Sequence, residues 1–210
     1  MKKSVIFDVD CVLIDFYKGL EGVYSKLFGK EVSSLSLTYN LKNRYGLTDD
    51  EFNAIWEEFD KDAFSKMPAL EGAVEVFNAY KNAGYSTHIV TGIKESVKQF
   101  RWNNLEELGM LPDTLDCVGS GTSSKKELID KYEANIIFDD RLQHLSGLII
   151  PNRILIDNGD DQIGYEENRF LIATEVHDSV LKYVHNSDTV DAGIREEVSS
   201  YFPIRKRMSL

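Results

Sequence analysis

Two carboxylates one residue apart sit at the end of a short apolar run, in Phe7-Asp8-Val9-Asp10-Cys11-Val12. Held together at a strand end, they repel each other and lose hydration. A divalent cation relieves both costs, and an all-oxygen ligand set favours magnesium. Such a pair can divide labour. One carboxylate attacks phosphorus; the other gives a proton to the leaving group and then takes one from water. Two turn-capping aspartates would look the same in isolation.

Later positions extend the pattern. Asp139-Asp140 follows the run Ile136–Phe138, a second acidic pair at a strand end. Four acids on one sheet edge need compensation, which a lysine plus a metal would supply. Lys125 and Lys126 compete for that role. Leu128 and Ile129 lie three and four residues after Lys125, which places Lys125 on their buried face and favours it. Thr91-Gly92 follows the β run His88-Ile89-Val90. A hydroxyl and free amides at such a turn suit phosphate oxygens, and glycine lets the backbone come close. His88, His144, His177 and His185 are scattered, with no nucleophile beside them in sequence, so none is assigned to catalysis.

These residues need a frame that brings strand ends together. Short β-rich runs recur at Val5–Val9, Thr87–Val90, Leu115–Val118, Ile136–Phe138 and Ile154–Ile156, with Phe170–Ala173 as a candidate sixth. Helical segments separate them. The stripe Ala73, Val76, Phe77, Tyr80 ends at Gly84. Ser123 or Ser124 caps a helix bearing Leu128, Ile129 and Tyr132. Val176, Val180, Leu181 and Val184 form another stripe, and Asp188 opens a last helix through Val198. This alternation predicts an α/β fold with a parallel sheet covered on both faces, whose carboxyl edge binds ligands. One interval departs from it. Between Phe16 and Met67 the pattern is helical, roughly Lys18–Phe28, Leu35–Tyr45 and Thr48–Phe64, with a capping box at Thr48 and Glu51. So long a helical stretch between two strands predicts an inserted cap over residues 16–67. Residues 1–15 and 68–210 then form the core, with Pro68 and Gly72 marking the return.

Composition narrows the classes. At 42% hydrophobic and 28% charged residues, the 210-residue chain is an ordinary globular one. Its formal net charge of −11 argues against a nucleic acid polymer as partner but not against a small phosphorylated metabolite, since a bound cation reverses the local field. Arg205, Lys206 and Arg207 form a short basic stretch that suits a solvated end. Cys11 and Cys117 are expected as buried thiols in a reducing compartment. No run approaches the roughly 18 apolar residues of a membrane span. Met1-Lys2-Lys3 leads straight into the first strand-like run, without a leader's longer apolar stretch, so a cytoplasmic location is expected. Oligomeric state is not legible.

In chain order, Asp8-x-Asp10-x-Val12, Thr91, Lys125 and Asp139-Asp140 resemble the four motifs of the haloacid dehalogenase (HAD) superfamily, across roughly residues 4–160. The resemblance implies a HAD-type Rossmann-like core with a C1-type helical cap, an aspartyl-phosphate intermediate and magnesium as cofactor. It implies Asp8 as nucleophile and Asp10 as acid and base. The metal would be held by Asp8, the Asp10 backbone carbonyl and Asp139, with Asp140 behind them. Thr91, Gly92 and Lys125 would meet the phosphate.

A narrower resemblance is to the 5'(3')-deoxyribonucleotidases, in the trailing Asp15-Phe16, in Trp56, in Pro68-Ala-Leu-Glu-Gly72-Ala73 and in Phe138-Asp139-Asp140-Arg141. It implies a base pocket with Phe16 and Trp56, hence 5'-nucleotidase activity on nucleoside monophosphates; ordinary packing of the cap is the other reading of both residues. Cys11 stands where that group has glycine, and Thr91-Gly92-Ile93 where it has threonine, serine and proline. A phosphatase for a sugar or other small-metabolite phosphate, and a catalytically silent binding protein on this fold, are the alternatives. A receiver domain would place its acidic pair first in the chain. A dehalogenase does not need Asp10, because halide leaves without a proton.

Overall fold

The computed structural model describes residues 3–119, 125–162 and 164–202. Six strands, β1 (Ser4–Phe7), β2 (Ser86–Thr91), β3 (Thr114–Cys117), β4 (Ile136–Asp139), β5 (Asn152–Ile156) and β6 (Glu175–His177), form one parallel sheet in the order β3-β2-β1-β4-β5-β6. The apolar runs explain why both faces are covered. Val5 and Phe7 of β1 pack into one core and Ile6 into the other; Ile136 and Phe138 of β4 divide from Ile137 in the same way. Phe7 pairs with Ile89 on one side and with Phe138 on the other, and the Phe7 and Phe138 rings stack at 5.0 Å. The strand order turns outward in both directions from β1, and a crevice opens beyond the carboxyl ends at such a point.

Between β1 and β2 the described chain is helical. It comprises α1 (Phe16–Phe28), α2 (Leu41–Tyr45), α3 (Asp49–Phe59) and a 3₁₀ turn at Ala63–Lys66. Asp15 caps α1 by accepting from the Lys18 amide at 3.0 Å, so the helix starts two residues before the sequence pattern suggests. The capping box at Thr48 and Glu51 is formed in both directions. The expected helix over Leu35–Tyr45 is restricted to its last five residues, and the one over Thr48–Phe64 ends at Phe59, before the 3₁₀ turn.

After Gly72 come α4 (Ala73–Asn82), α5 (Lys98–Glu107), α6 (Lys125–Lys131), α7 (Leu142–Leu145), α8 (Arg169–Ile172), α9 (Val180–Asn186) and α10 (Ala192–Tyr201). The expected strand at Phe170–Ala173 is instead α8, with Phe170 84% exposed. The sixth strand is Glu175–His177, a three-residue edge strand whose Glu-Val-His sequence gives no apolar run. Val176 therefore belongs to the sheet and not to the stripe of α9. The last helix starts after Asp191 and not at Asp188. The candidate caps Ser123 and Ser124, and the basic residues 205–207, lie outside the described residues. Among those described, no helix is long and apolar enough to cross a membrane. Both cysteines are free, Cys11 buried and Cys117 half-buried.

Two glycines differ in what they permit. Gly72, at φ +74°, starts α4 where an added Cβ would come within 2.7 Å of Leu181. Gly22 lies inside α1 with open space around it. Gly22→Ala should stabilise the protein by about 0.5–1 kcal/mol. Gly72→Ala should destabilise it by about 1–3 kcal/mol through left-handed strain and crowding. Urea unfolding of both variants checks the pair.

Candidate active site

The carboxyl edge gathers the residues with chemical potential. Asp8 follows β1, Thr91 ends β2 and Asp139 ends β4. The Asp8 amide donates to the Phe138 carbonyl at 2.9 Å, which holds the two acidic segments side by side. A cavity of about 710 Å³ opens above this edge. Asp8, Asp10, Thr91, Gly92, Lys125 and Asp140 line it from the sheet. Phe16, Tyr39, Phe52, Trp56 and Phe64 line it from the helical segment.

Lys125 stands at the centre of the charges. Its ammonium donates to Asp139 Oδ2 at 2.7 Å and lies 3.1 Å from Asp8 Oδ1. It is buried, whereas Lys126 is an exposed partner of Asp130 on its own helix. Lys125 is thus on the buried face of α6, with Ile129. Asp139 is wholly buried, and its Oδ1 also accepts from the Arg141 amide and meets His144 Nδ1, each at 2.9 Å. Asp140 is buried beside it but borders the cavity itself.

The electrostatics follow from this geometry. Burial works against the charged form of every carboxylate here. For Asp8 it is the largest effect and is reinforced by Asp139 and Asp10; it outweighs Lys125 and pushes the carboxyl up to about 6. Asp140 is raised further, first by burial and then by Asp8 and Asp139. Asp139 is buried too, yet Lys125 and then His144 outweigh that burial and hold it well below the usual range. Burial disfavours the ammonium of Lys125, but Asp139 and Asp8 more than offset it and raise its pKa.

The donor set suits a divalent cation. Among the described residues, the buried Asp8 Oδ1 has no contact but the Lys125 ammonium at 3.1 Å. Asp8, Asp139 and His144 each offer a ligand atom, all within 4.8 Å of one another. Three buried carboxylates exceed the single ammonium among them. Thr91 Oγ1 is likewise buried without a partner among the described residues, a donor left for an oxygen in the cavity. Cys11 also lines the cavity, but burial and then Asp140 raise its thiol strongly, so it is not a competing nucleophile. Its φ of +64° accounts for the glycine that the related motif carries there.

Phe16 and Trp56 both pack and line the cavity. Their rings lie 6.5 Å apart, and Phe59 stacks on Phe16 at 5.7 Å. His88, in β2, meets Thr114 Oγ1 of β3 at 2.9 Å and stacks on Tyr132. Sequence reasoning missed two residues. Arg101, in α5, forms an ion pair with Asp10. His144, in α7, contacts Asp139 and lines the cavity. For Arg101 a signal existed: Val97, Arg101 and Leu105 recur at four-residue spacing, so the arginine shares a face with two apolar residues. His144 sits in α7 just after β4, and its approach to Asp139 depends on the extended Arg141 between them, which no local pattern announces.

No family model matches the chain, and no curated protein matches it. Solved structures do. A candidate phosphatase from Clostridium difficile shares 15% identity, covers 88% of this chain and 97% of its own, and superposes with a TM-score of 0.60. A HAD family hydrolase from Deinococcus radiodurans, solved with phosphate and sodium, gives 16% identity, 83% and 90% coverage and a TM-score of 0.53. A candidate HAD hydrolase from Bacillus subtilis, bound to magnesium, gives 16%, 88% and 97%, and 0.56. Dehalogenases are among the other matches.

Lys125→Met should leave the buried carboxylates without their counter-charge and lower the unfolding free energy at pH 7.5 by about 3–5 kcal/mol. The deficit should shrink on acidification. Protonating Asp8, whose carboxyl is pushed up to about 6, relieves repulsion in the variant, while Asp139, held low in the wild type, keeps its full contribution at pH 5 because that lies above its unfolded value. Urea unfolding of both proteins at pH 7.5 and 5 measures this. The architecture on which these residues stand is that of the HAD-type hydrolases, a Rossmann-like parallel sheet.

Proposed function

We propose that the protein is a magnesium-dependent phosphomonoester hydrolase working through an aspartyl-phosphate on Asp8. The observation that carries the reading is Asp8 itself. It is a buried carboxylate whose Oδ1 meets only the Lys125 ammonium among the described residues, on a cavity it shares with Asp10, Lys125 and a Thr91 hydroxyl that has no partner among those residues. Neighbours of the same fold that hold phosphate or magnesium add support.

In this mechanism an Asp8 oxygen attacks phosphorus, and the bond from phosphorus to the ester oxygen breaks. Asp10 gives its proton to the departing alcohol. A water then attacks the phosphoryl group on Asp8, Asp10 takes the water's proton, and inorganic phosphate leaves with Asp8 restored. Lys125 orients Asp8 against Asp139. Thr91 and the Gly92 amide receive the phosphoryl oxygens. Bound magnesium supplies charge neutralisation among the carboxylates and those oxygens; Asp8, the Asp10 carbonyl and Asp139 would hold it, with Asp140 beside them.

Residues 16–67 act in this reading as a cap that excludes water and meets the leaving group. A flat leaving group fits the aromatic lining of Phe16 and Trp56, and nucleoside monophosphates are the first candidates.

Phosphate release from a panel of nucleotides, sugar phosphates and small phosphomonoesters tests the function. Activity should vanish on chelation and return with magnesium, and Asp8→Asn should abolish it. Full turnover in excess chelator, or by the Asp8 variant, would sink the proposal. Asp10→Asn should lose about 10²- to 10⁴-fold on esters whose alcohol needs a proton and far less on aryl esters of low pKa. Trp56→Ala and Phe16→Ala test the base pocket. Their kcat/KM should fall at least about tenfold for nucleotides, the scale of lost aromatic stacking, and little for a small aryl phosphate. Parallel losses on both, with falling Tm, would make the two residues packing only.

A further inference from the structure

We propose that Arg101 is a positioning residue that fixes the Asp10 carboxylate and ties it to the segment where the helices return to the sheet. The inference rests on the reading of Asp10 as acid and base. Arg101 is 0% exposed and lies on the face of α5 shared with the buried Leu105. A guanidinium in such a place is costly unless its charge is met. Its Nη2 donates to Asp10 Oδ1, and its Nη1 to Asn104 Oδ1 at 3.3 Å. Its central carbon sits 4.9 Å from the ring centre of Phe64, in the 3₁₀ turn before the return. The Asn104 amide donates to the Met67 carbonyl at 2.9 Å. One buried group therefore touches the proton-carrying carboxylate and the end of the helical segment, and its hydrogen-bonded neighbour holds the residue that follows.

The contact matters because Asp10 is otherwise loosely placed. It is partly exposed, borders the cavity and precedes the left-handed turn at Cys11. A short side chain there has more than one rotamer open to it. A rigid, planar fork in a buried slot selects one of them. Among the described residues the contact engages Oδ1, so Oδ2 is the oxygen left to face the leaving group. A purely structural role would have Arg101 serve only to join α5 to the 3₁₀ turn. That role predicts lost stability without any dependence on the leaving group.

The test uses the full chain with magnesium and two aromatic esters of similar size, benzyl phosphate and 2,4-dinitrophenyl phosphate. Only the first has a leaving group that needs a proton. Arg101→Met should lower kcat by about 30-fold or more on benzyl phosphate and by less than about 5-fold on the dinitrophenyl ester, within the range expected for lost proton transfer. KM should change little. Arg101→Lys should recover part of the loss. Adding Arg101→Met to Asp10→Asn should cost nothing further on benzyl phosphate, because the two act as one unit. Equal losses on both esters, no loss, or additive losses in the double variant would overturn the proposal. If Arg101→Met does not melt cooperatively, Arg101→Lys decides: a loss selective for benzyl phosphate supports the role, and an unselective change or none overturns it. Asp8→Asn separates the two levels. Turnover by that variant would remove the hydrolase reading and this inference with it. An inert Asp8 variant beside unselective Arg101 variants would remove this inference alone.

Discussion

Buried like charge at one sheet edge is the constraint on which the rest of this structure depends. Asp8 and Asp139 are neighbours because β1 and β4 pair with Phe7 opposite Phe138, and each aspartate comes next in its chain. That register is itself fixed by apolar packing on both faces. A slip of one residue would send Phe7 and Val5 into the wrong core. The hydrophobic pattern thus places one carboxylate, Asp139, wholly inside and the other, Asp8, nearly buried at the floor of the cavity. Lys125, the first residue of α6, answers part of the charge. The remainder is the charge that the proposed magnesium would answer.

A second compensation is separate from the first. Asp10 is met by Arg101 from α5, on the opposite side of β1 from β4. The two adjacent motif aspartates are therefore held by different elements, Asp8 through β4 and α6, Asp10 through α5. This division suits the different tasks proposed for them. A nucleophile needs a fixed line of attack, and a proton carrier needs a defined oxygen facing the leaving group.

What the sequence made legible follows the same physics. Strands buried on both faces announce themselves as apolar runs, so β1, β2, β4 and β5 and the acids at their ends were readable within a residue or two; β3, at the other edge, was readable from the run Leu115–Val118 although it is only half buried. β6 was not, because an edge strand of Glu-Val-His is only half buried and need not be apolar. Phe170 and Leu171 misled for the converse reason: they are apolar but exposed. The capping box at Thr48 was readable because it is local. For Arg101 only burial was readable, from its spacing with Val97 and Leu105; its partner was not, because it lies 91 residues away. Arg44 and Asp160, a buried pair between α2 and the loop after β5, were missed on the same ground.

That last pair bears on how the helical segment is fastened. On the β5 side, Asp160 takes Arg44 and the Tyr17 hydroxyl, while Asp161 takes the Thr38 hydroxyl and the Tyr39 amide, each at 3.0 Å. Arg141 stacks on Tyr39 at 4.1 Å and donates to the Asp161 carbonyl at 3.0 Å, joining this loop to the residue after Asp140. On the β2 side an ion pair, Lys94 with Asp60, spans the gap, and both partners are exposed. An exposed pair contributes about 0–1 kcal/mol, whereas removing one partner of a buried pair costs about 3–5 kcal/mol. Buried groups therefore fasten the segment on both sides: Asp160 and Arg44 beside β5, and beside β2 the Asn104 amide on the Met67 carbonyl with Arg101 against Phe64, to which the exposed pair of Lys94 and Asp60 adds little.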